Sequence, residues 1–557
     1  MAYKTGIPRA QINLFPISLD ASIAEDNIVR VIDTFVDSLD LAELGFQHCT
    51  DNLKGASMYP PQMLLKLYIY GYFNRIRSSR RLEIECERNI ELHWLLQQLT
   101  PKYHTIADFR KIHPEALKST FQQFTQFCIV LDLIGREKIA IDGTKIHAQN
   151  NPNNNFNTAR LEKLLARIQT KTAIYEEYLS DLDAADAKEK DAIVVIPSIA
   201  VSKSRTDIEN ALTILAQRKT KYEAFQEEIK TRVEALCEED ELQISTVDPD
   251  ARSMIFRHNN TAIGYNVQTA ADAKHCLIAH YEVTNVGDTY ALSKMAKDTK
   301  KALNLGENDT IDALADAGYH TAKELAECTS HGIITYVCPQ DVATAQTKLT
   351  NESKDKDKFS KSKFIYDTST DTYTCPNKQI LTTTGTTCTK KARNRNRQDT
   401  YYKQYKIPLK TCESCPFSEQ CIGPKRKCRH GKVIERYEFD DAVEANRKRL
   451  NERPKTYQER KEIIEHPFGT IKRSWGYSYT LLRTKRKVSG EFALIYLCYN
   501  LRRVINILGV KGLKDALILR FYAIMTSYED FRAYFLKSQK KSCVFLPRAM
   551  AFSSFID

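Results

Sequence analysis

Glycine and proline are sparse, 19 and 17 of 557 residues. That excludes collagen-like and low-complexity chains, and with 42% apolar residues it leaves material for a packed core in several domains. No apolar run approaches the ~20 residues a membrane helix needs; FALIYLCYNL (492–501) is among the longest. The N-terminal MAYKTGIPRAQINLF has no apolar stretch behind basic residues of the kind that marks an export signal. The expectation is a soluble protein of a reducing compartment, without a membrane partner. Its 15 cysteines then read as core thiols or metal ligands rather than bridges.

A large excess of one charge is also missing: 82 Lys and Arg stand against 70 Asp and Glu, net +12. The excess is concentrated, however. Residues 391–490 carry 26 basic and 12 acidic residues, so the rest of the chain is close to neutral. The basic clusters KKARNRNR (390–397), KRKCRHGK (425–432) and RTKRK (483–487) lie among Tyr401, Tyr402, Tyr405, Trp475, Tyr477 and Tyr479. Cations interleaved with aromatics suit a phosphate backbone with accessible bases, and equally a solvated charged face.

Residues 1–135 read as helical. PPQMLLKLYIYGYF opens on prolines and then shows helical spacing. Thr105 with Asp108 has capping-box spacing, and Pro114 suits the first turn of the next helix. These short helices carry Arg75, Arg77, Arg80, Arg81, Arg110 and Lys111, which fits a helix-turn-helix-like DNA-binding unit or an all-helical packing unit. From residue 136 to 338 the pattern becomes strand, hairpin, helix, strand, helix, strand, a mixed α/β sheet, with Asp288 read as a helix cap. Two segments interrupt it. Residues 158–245 are a charged, heptad-like helical insertion with a break at VVIPS (194–198), and 339–440 form a Cys-rich, basic insertion. Helical pattern returns over 441–510, leaving 511–557 as a tail.

Asp142 and Asp316 each end an apolar, strand-like run. In IAID, Ile139 and Ile141 face one way and Ala140 and Asp142 the other. Two such aspartates in one sheet can converge beyond its edge, where a divalent cation relieves their repulsion. Oxygen ligands suit Mg²⁺. On a predicted 457–473 helix, Tyr457, Lys461, Glu465, Phe468 and Lys472 share one face, and Pro467 should kink or end it. Glu462 competes with Glu465, and Asp248, Asp250 and Asp272 compete with the two aspartates.

These stretches resemble the DDE transposases of bacterial insertion sequences. The resemblance rests on IAIDGTKIHA (139–148), DPDARSM (248–254), GYNVQTAAD (264–272), LADAGYH (314–320) and YQERKEIIEHPFGTIKR (457–473), and covers roughly residues 40–510. It implies an RNase H-like core with two Asp on strands and a Glu on a helix. It also implies a Mg²⁺ or Mn²⁺ pair held by Asp142, Asp316 and Glu465 as catalytic residues. In the family's tyrosine-arginine-glutamate-lysine signature, Tyr457 and Arg460 keep the first gap and Glu465 and Lys472 the last. Four residues between Arg460 and Glu465 are one too many. Tyr457, Arg460, Lys472, Arg473 and Arg110 are the implied DNA contacts. The implied partners are the element's terminal inverted repeats and target DNA, engaged by a homo-oligomer in the bacterial cytoplasm at the nucleoid. A metal-dependent nuclease without strand transfer, and a DNA-binding protein without catalysis, are the alternatives.

In the cysteine-rich insertion, Cys375, Cys412, Cys415 and Cys421 include one Cys-x2-Cys knuckle, a candidate tetrahedral Zn²⁺ site. Cys388, Cys428 or His430 could replace one ligand, and a set of reduced thiols is the alternative.

Overall fold

The computed structural model describes residues 18–49, 58–186, 205–235, 243–256, 260–339, 359–391, 399–422 and 431–526. Its first elements are helices α1 (Ile28–Asp37), α2 (Pro61–Phe73), α3 (Ser79–Arg88), α4 (Ile90–Leu95), α5 (Tyr103–Ile112) and α6 (Pro114–Val130). Asn27 and Asn89 cap α1 and α4 by accepting from Val29 and Glu91 N–H groups, and prolines open α2 and α6 as expected. Thr105 is not a cap: α5 starts two residues earlier, behind Lys102, so the Thr105/Asp108 pair is interior.

The central sheet uses β1 (Lys138–His147), β4 (Arg252–Ile255), β5 (Thr261–Asp272), β6 (Ile278–Thr284), β7 (Ile311–Ala315) and β8 (Ile333–Val337). The order is β4-β5-β1-β7-β8, with β6 also on β5. β1, β5 and β6 are antiparallel neighbours, and β7 and β8 continue parallel to β1. Helices α9 (Leu292–Ala302) and α10 (Ala322–Ser330) join its later strands. Between β1 and β4, the short pair β2 (Asn155–Asn157) and β3 (Gln243–Ser245) closes the base of the helical hairpin α7 (Thr158–Asp186) and α8 (Arg205–Ala235). The VVIPS break lies outside the described residues.

The 339–440 insertion carries a sheet of its own. Strands β9 (Ile365–Asp367), β10 (Thr372–Thr374), β11 (Ile380–Lys390), β12 (Thr400–Lys406) and β13 (Val433–Tyr437) make a second, antiparallel sheet. Two one-turn helices, α11 (Leu409–Glu413) and α12 (Ser418–Ile422), link β12 to β13. The chain then returns through α13 (Asp440–Glu452), α14 (Pro454–Phe468), a π-helical turn (Gly469–Ser474) and α15 (Lys485–Thr526).

One hydrophobic cluster runs from Ile23 to Leu517 and joins the N-terminal helices, one sheet face and α15. Ile139 and Ile141 lie in it, while Ala140 belongs to a second cluster on the opposite face. The predicted alternation is therefore what β1 shows. Two buried asparagines finish the outer strands. Asn500 of α15 bonds both backbone groups of Ile278, at 2.9 and 2.8 Å, and Asn446 of α13 does the same for Val337, at 3.0 and 2.8 Å. Each closes a strand edge that would otherwise be open to pairing.

Helix α15 corrects two expectations. It carries on past residue 510 through a break at Gly509 (φ 72°), where the predicted tail should begin. It is also the one described helix long and apolar enough to span a bilayer, a property the shorter run 492–501 concealed. Its apolar face is occupied by α1, α2, α6 and β6, as in a core helix.

Candidate active site

β1 and β7 are in parallel register from Lys138↔Asp312 to Ile141↔Ala315. Asp142 and Asp316 come next, where that ladder ends, so the two predicted carboxylates stand on neighbouring strands at the same level. Asp142 accepts its neighbour Gly143 N–H at 2.8 Å, and Asp316 accepts Gly318 N–H at 2.7 Å. Burial first, and then the Asp316 charge, push Asp142 up to about 7, against the pull of Arg460 and the Gly143 N–H.

A third carboxylate, Asp288, reaches this pocket from the β6–α9 connection. Its Oδ1 accepts Asn266 Nδ2 at 2.8 Å and Gln268 Nε2 at 2.7 Å. It is not the cap read from the sequence, because α9 begins only at Leu292. Buried Tyr319 donates to Gln268 Oε1 at 2.5 Å. Its hydroxyl is held far above its ordinary range by burial and then by Asp288, Asp142 and Asp316 together. Gly143 makes room: a Cβ there would collide with Asp288 Oδ1 and lie 2.7 Å from both amide side chains. Gly143→Ala is expected to displace Asp288 and cut DNA cleavage about 10-fold or more, an ordinary effect for lost outer partners. Cleavage assays at saturating metal would check it; wild-type rates would show that Asp288 is dispensable.

Helix α14 lies over this end of the sheet. Ile463 and Ile464 pack on Ala140, Leu314 and Tyr336. Lys138 Nζ reaches Glu459 at 2.5 Å near one end of α14, and beyond its other end Lys472 Nζ reaches Thr144 Oγ1 at 2.9 Å and Lys145 O at 2.8 Å. Between these ties Arg460 comes within 3.7 Å of Asp142. Its guanidinium sits 5.9 Å from the Tyr457 ring, and burial raises the Tyr457 hydroxyl.

The structure thus brings Asp142, Asp316 and Arg460 together. Glu465 is elsewhere: it is exposed on α14, with no side-chain hydrogen bond or ion pair among the described residues. The predicted face of Tyr457, Lys461, Glu465, Phe468 and Lys472 is interrupted, since α14 ends one residue after Pro467 and the π turn resets the spacing. No group of three or more His, Cys, Asp or Glu side chains among the described residues forms a metal cage.

Other expectations also change. Arg110 is buried, donating to Tyr72 Oη at 2.6 Å and to Arg77 O at 3.3 Å, so it is withdrawn as a DNA contact. Lys472 is committed to β1, whereas Arg473 is exposed. The competing aspartates have structural work. Asp248 takes the Tyr265 hydroxyl at 2.7 Å and Thr484 N–H at 3.1 Å, Asp250 takes Lys485 N–H, and Asp272 takes Gly135, Arg136 and Lys274 N–H groups. Cys375, Cys412, Cys415 and Cys421 line one cavity beside the second sheet. Cys388 is on β11 opposite Tyr402, and Cys428 and His430 lie outside the described residues.

Sequence reasoning missed Asp288. The Asn266-x-Gln268 pair on β5 was the available signal, since buried amides on a strand imply a polar partner facing them.

No curated protein and no solved structure matches the chain significantly. Two family models do. Residues 17–112, helices α1–α5, match a transposase domain (DUF772), and residues 374–505 match a transposase DDE domain that contains Tyr457, Arg460, Glu465 and Lys472. Both matched segments point the same way, and together they support a DDE-type transposase of an insertion sequence.

Proposed function

We propose that the protein binds the ends of its insertion sequence, cuts them in a metal-dependent reaction and joins the freed 3′ ends to target DNA. The observation that carries this reading is the pair Asp142 and Asp316 at the ends of adjacent parallel strands, beneath a helix that bears Glu465. Two aspartates on strands and a glutamate on the covering helix also support an RNase H-like core, interrupted at 158–245 and 339–440.

The donor set fits Mg²⁺ or Mn²⁺. It offers carboxylate oxygens, and a divalent ion would offset both the burial and the Asp316 charge that raise Asp142. Asp142 and Asp316 would hold the metal, and Glu465, the third ligand the resemblance implies, would have to turn in from the exposed side of α14. Bound there, a divalent pair would supply activation of the attacking oxygen and charge relief at the leaving 3′-oxygen. The chain's own residues do the positioning. Arg460 keeps the acid pair partly neutralised, and Gln268 and Asn266 fix Asp288 beneath it. Lys472 locks the end of the catalytic helix to β1. Exposed Arg473 meets DNA phosphate beside the cut. Both ends must be cut and joined together, so the acting species is a homo-oligomer on paired ends, working in the bacterial cytoplasm at the nucleoid.

The test is a labelled duplex of the inverted repeats flanking the coding sequence, incubated with the full-length protein, Mg²⁺ or Mn²⁺ and a target plasmid. Joined product is expected. Cut but unjoined DNA would overturn strand transfer, and bound, intact DNA would overturn catalysis. In the same assay Glu465→Gln should lower cutting at least about 100-fold if Glu465 completes the metal site. Unchanged cutting would remove it from the triad.

A further inference from the structure

We propose that Cys375, Cys412, Cys415 and Cys421 bind one structural Zn²⁺ that fastens the second sheet to the two one-turn helices beside it. Cys375 stands at the β10–β11 turn, Cys412 and Cys415 at the end of α11, and Cys421 on α12. All four border a single cavity of about 30 Å³, walled by Phe364, Leu381 and Ile407. That is room for one small ion or water and none for a substrate. None of the four is in a disulfide.

Three of the four sulfurs accept hydrogen bonds. Gln379 N–H donates to Cys375 Sγ at 3.3 Å, Lys432 N–H to Cys412 Sγ at 3.4 Å, and Asn377 Nδ2 to Cys415 Sγ at 3.4 Å. A neutral thiol accepts weakly, whereas a metal-bound thiolate needs such donors around it. Gly431 passes so close that a Cβ there would strike Cys412 Sγ. Lys432 lines the same cavity as the four thiols. On binding, each gives its proton to water, and the two net negative charges of the tetrathiolate centre lie beside Lys432.

The need for a staple is physical. The buried apolar core of this unit comprises Phe364, Tyr373, Leu381, Tyr405, Ile407 and Ile434. So small a core holds short strands and single-turn helices poorly without a metal or bridge. The four sulfurs do not form a ready-made cage among the described residues, so binding would require side-chain rotation about their Cα–Cβ bonds.

The experiment uses the full-length protein purified without chelator. About one zinc per chain is expected, and cobalt substitution should give the sulfur-to-metal charge transfer and strong visible bands of tetrahedral thiolate cobalt. Cys412→Ser with Cys415→Ser should lose the metal, Gly431→Ala should release it to a chelator faster, and Asp142→Asn and Cys388→Ser should retain it. Less than about half an equivalent of zinc with no thiolate-cobalt bands would overturn the proposal. Full retention in the double serine variant, or a disulfide found by mass analysis in freshly prepared protein, would do the same. The cobalt spectrum of the unaltered protein decides the matter even if the serine variants fail to fold.

Discussion

Asp142→Asn protein is expected to bind a terminal-repeat duplex like the unaltered protein and to cut it at under about a thousandth of the rate, about 4 kcal/mol of lost transition-state stabilisation. Asparagine has the shape of aspartate but not its charge. The pocket then keeps Asp316 and Asp288 yet no longer repels strongly enough to demand a divalent ion. In the proposed function, binding to DNA ends would rest on cations elsewhere, such as exposed Arg473, so affinity and cutting should separate. Near-normal cutting by the purified variant would remove Asp142 from the chemistry.

The same substitution carries an opposite prediction for stability. Asp142 ionises near 7 in the folded protein and near 3.8 when unfolded. The unfolded chain therefore releases its proton first as pH rises, and the metal-free fold loses stability between about pH 4 and pH 7, by up to about 4 kcal/mol. Above that window the cost is fully present. The asparagine side chain of the variant never ionises and avoids it, although Arg460 loses its partner, so a net gain of about 1–2 kcal/mol is expected at pH 8. Thermal melts without metal should rank the variant above the unaltered protein at pH 8 and below or equal to it at pH 4. Adding Mn²⁺ should stabilise only the unaltered protein. A variant less stable at pH 8 would show that Asp142 is a structural aspartate.

The strands that carry this pair were legible because each is a short apolar run with β-branched residues, and because Ile139 and Ile141 alternate with Ala140 and Asp142. The second sheet was not legible. β11 is ILTTTGTTCTK, of which Leu381 alone is buried, so no period-2 apolar signal exists to read. Asp288 was misassigned for a related reason: its partners Asn266 and Gln268 are distant in sequence, while an Asp shortly before a helical pattern looks like a local cap. Arg110 shows the limit of charge as a guide. An arginine among short helices reads as a phosphate contact, and only the tertiary fold shows that it is spent on Tyr72. Helical spacing likewise placed Glu465 and Lys472 on one face. A π turn inside the interval, which residue type does not announce, sends Lys472 to β1 and leaves Glu465 at the exposed edge.

Glu491→Leu is expected to cost about 3–5 kcal/mol of folding stability, because it leaves buried groups without their acceptor. Glu491 is fully buried on α15. It accepts Leu481 N–H at 2.9 Å and Leu482 N–H at 3.2 Å, and Arg77 Nη1 stands 3.4 Å away. Arg77 is clasped between the rings of Tyr477 and Tyr479, at 4.4 and 4.6 Å, and Arg110 bonds the Tyr72 hydroxyl next to it. This network joins the N-terminal helices to the segment that follows the π turn. Its loss should therefore loosen both the matched N-terminal domain and the support of α14. A buried ion pair is weak evidence of net stability, but breaking one side of it strands a charge, which is the costly event. Melting should accordingly fall by more than about 6 °C for Glu491→Leu. The double variant Glu491→Leu with Arg77→Met should recover part of that loss, because no charge is then left stranded. Equal melting of the single and double variants would mean that the two Leu N–H groups, and not Arg77, set the cost, and a shift under about 2 °C would show that water reaches this carboxylate after all.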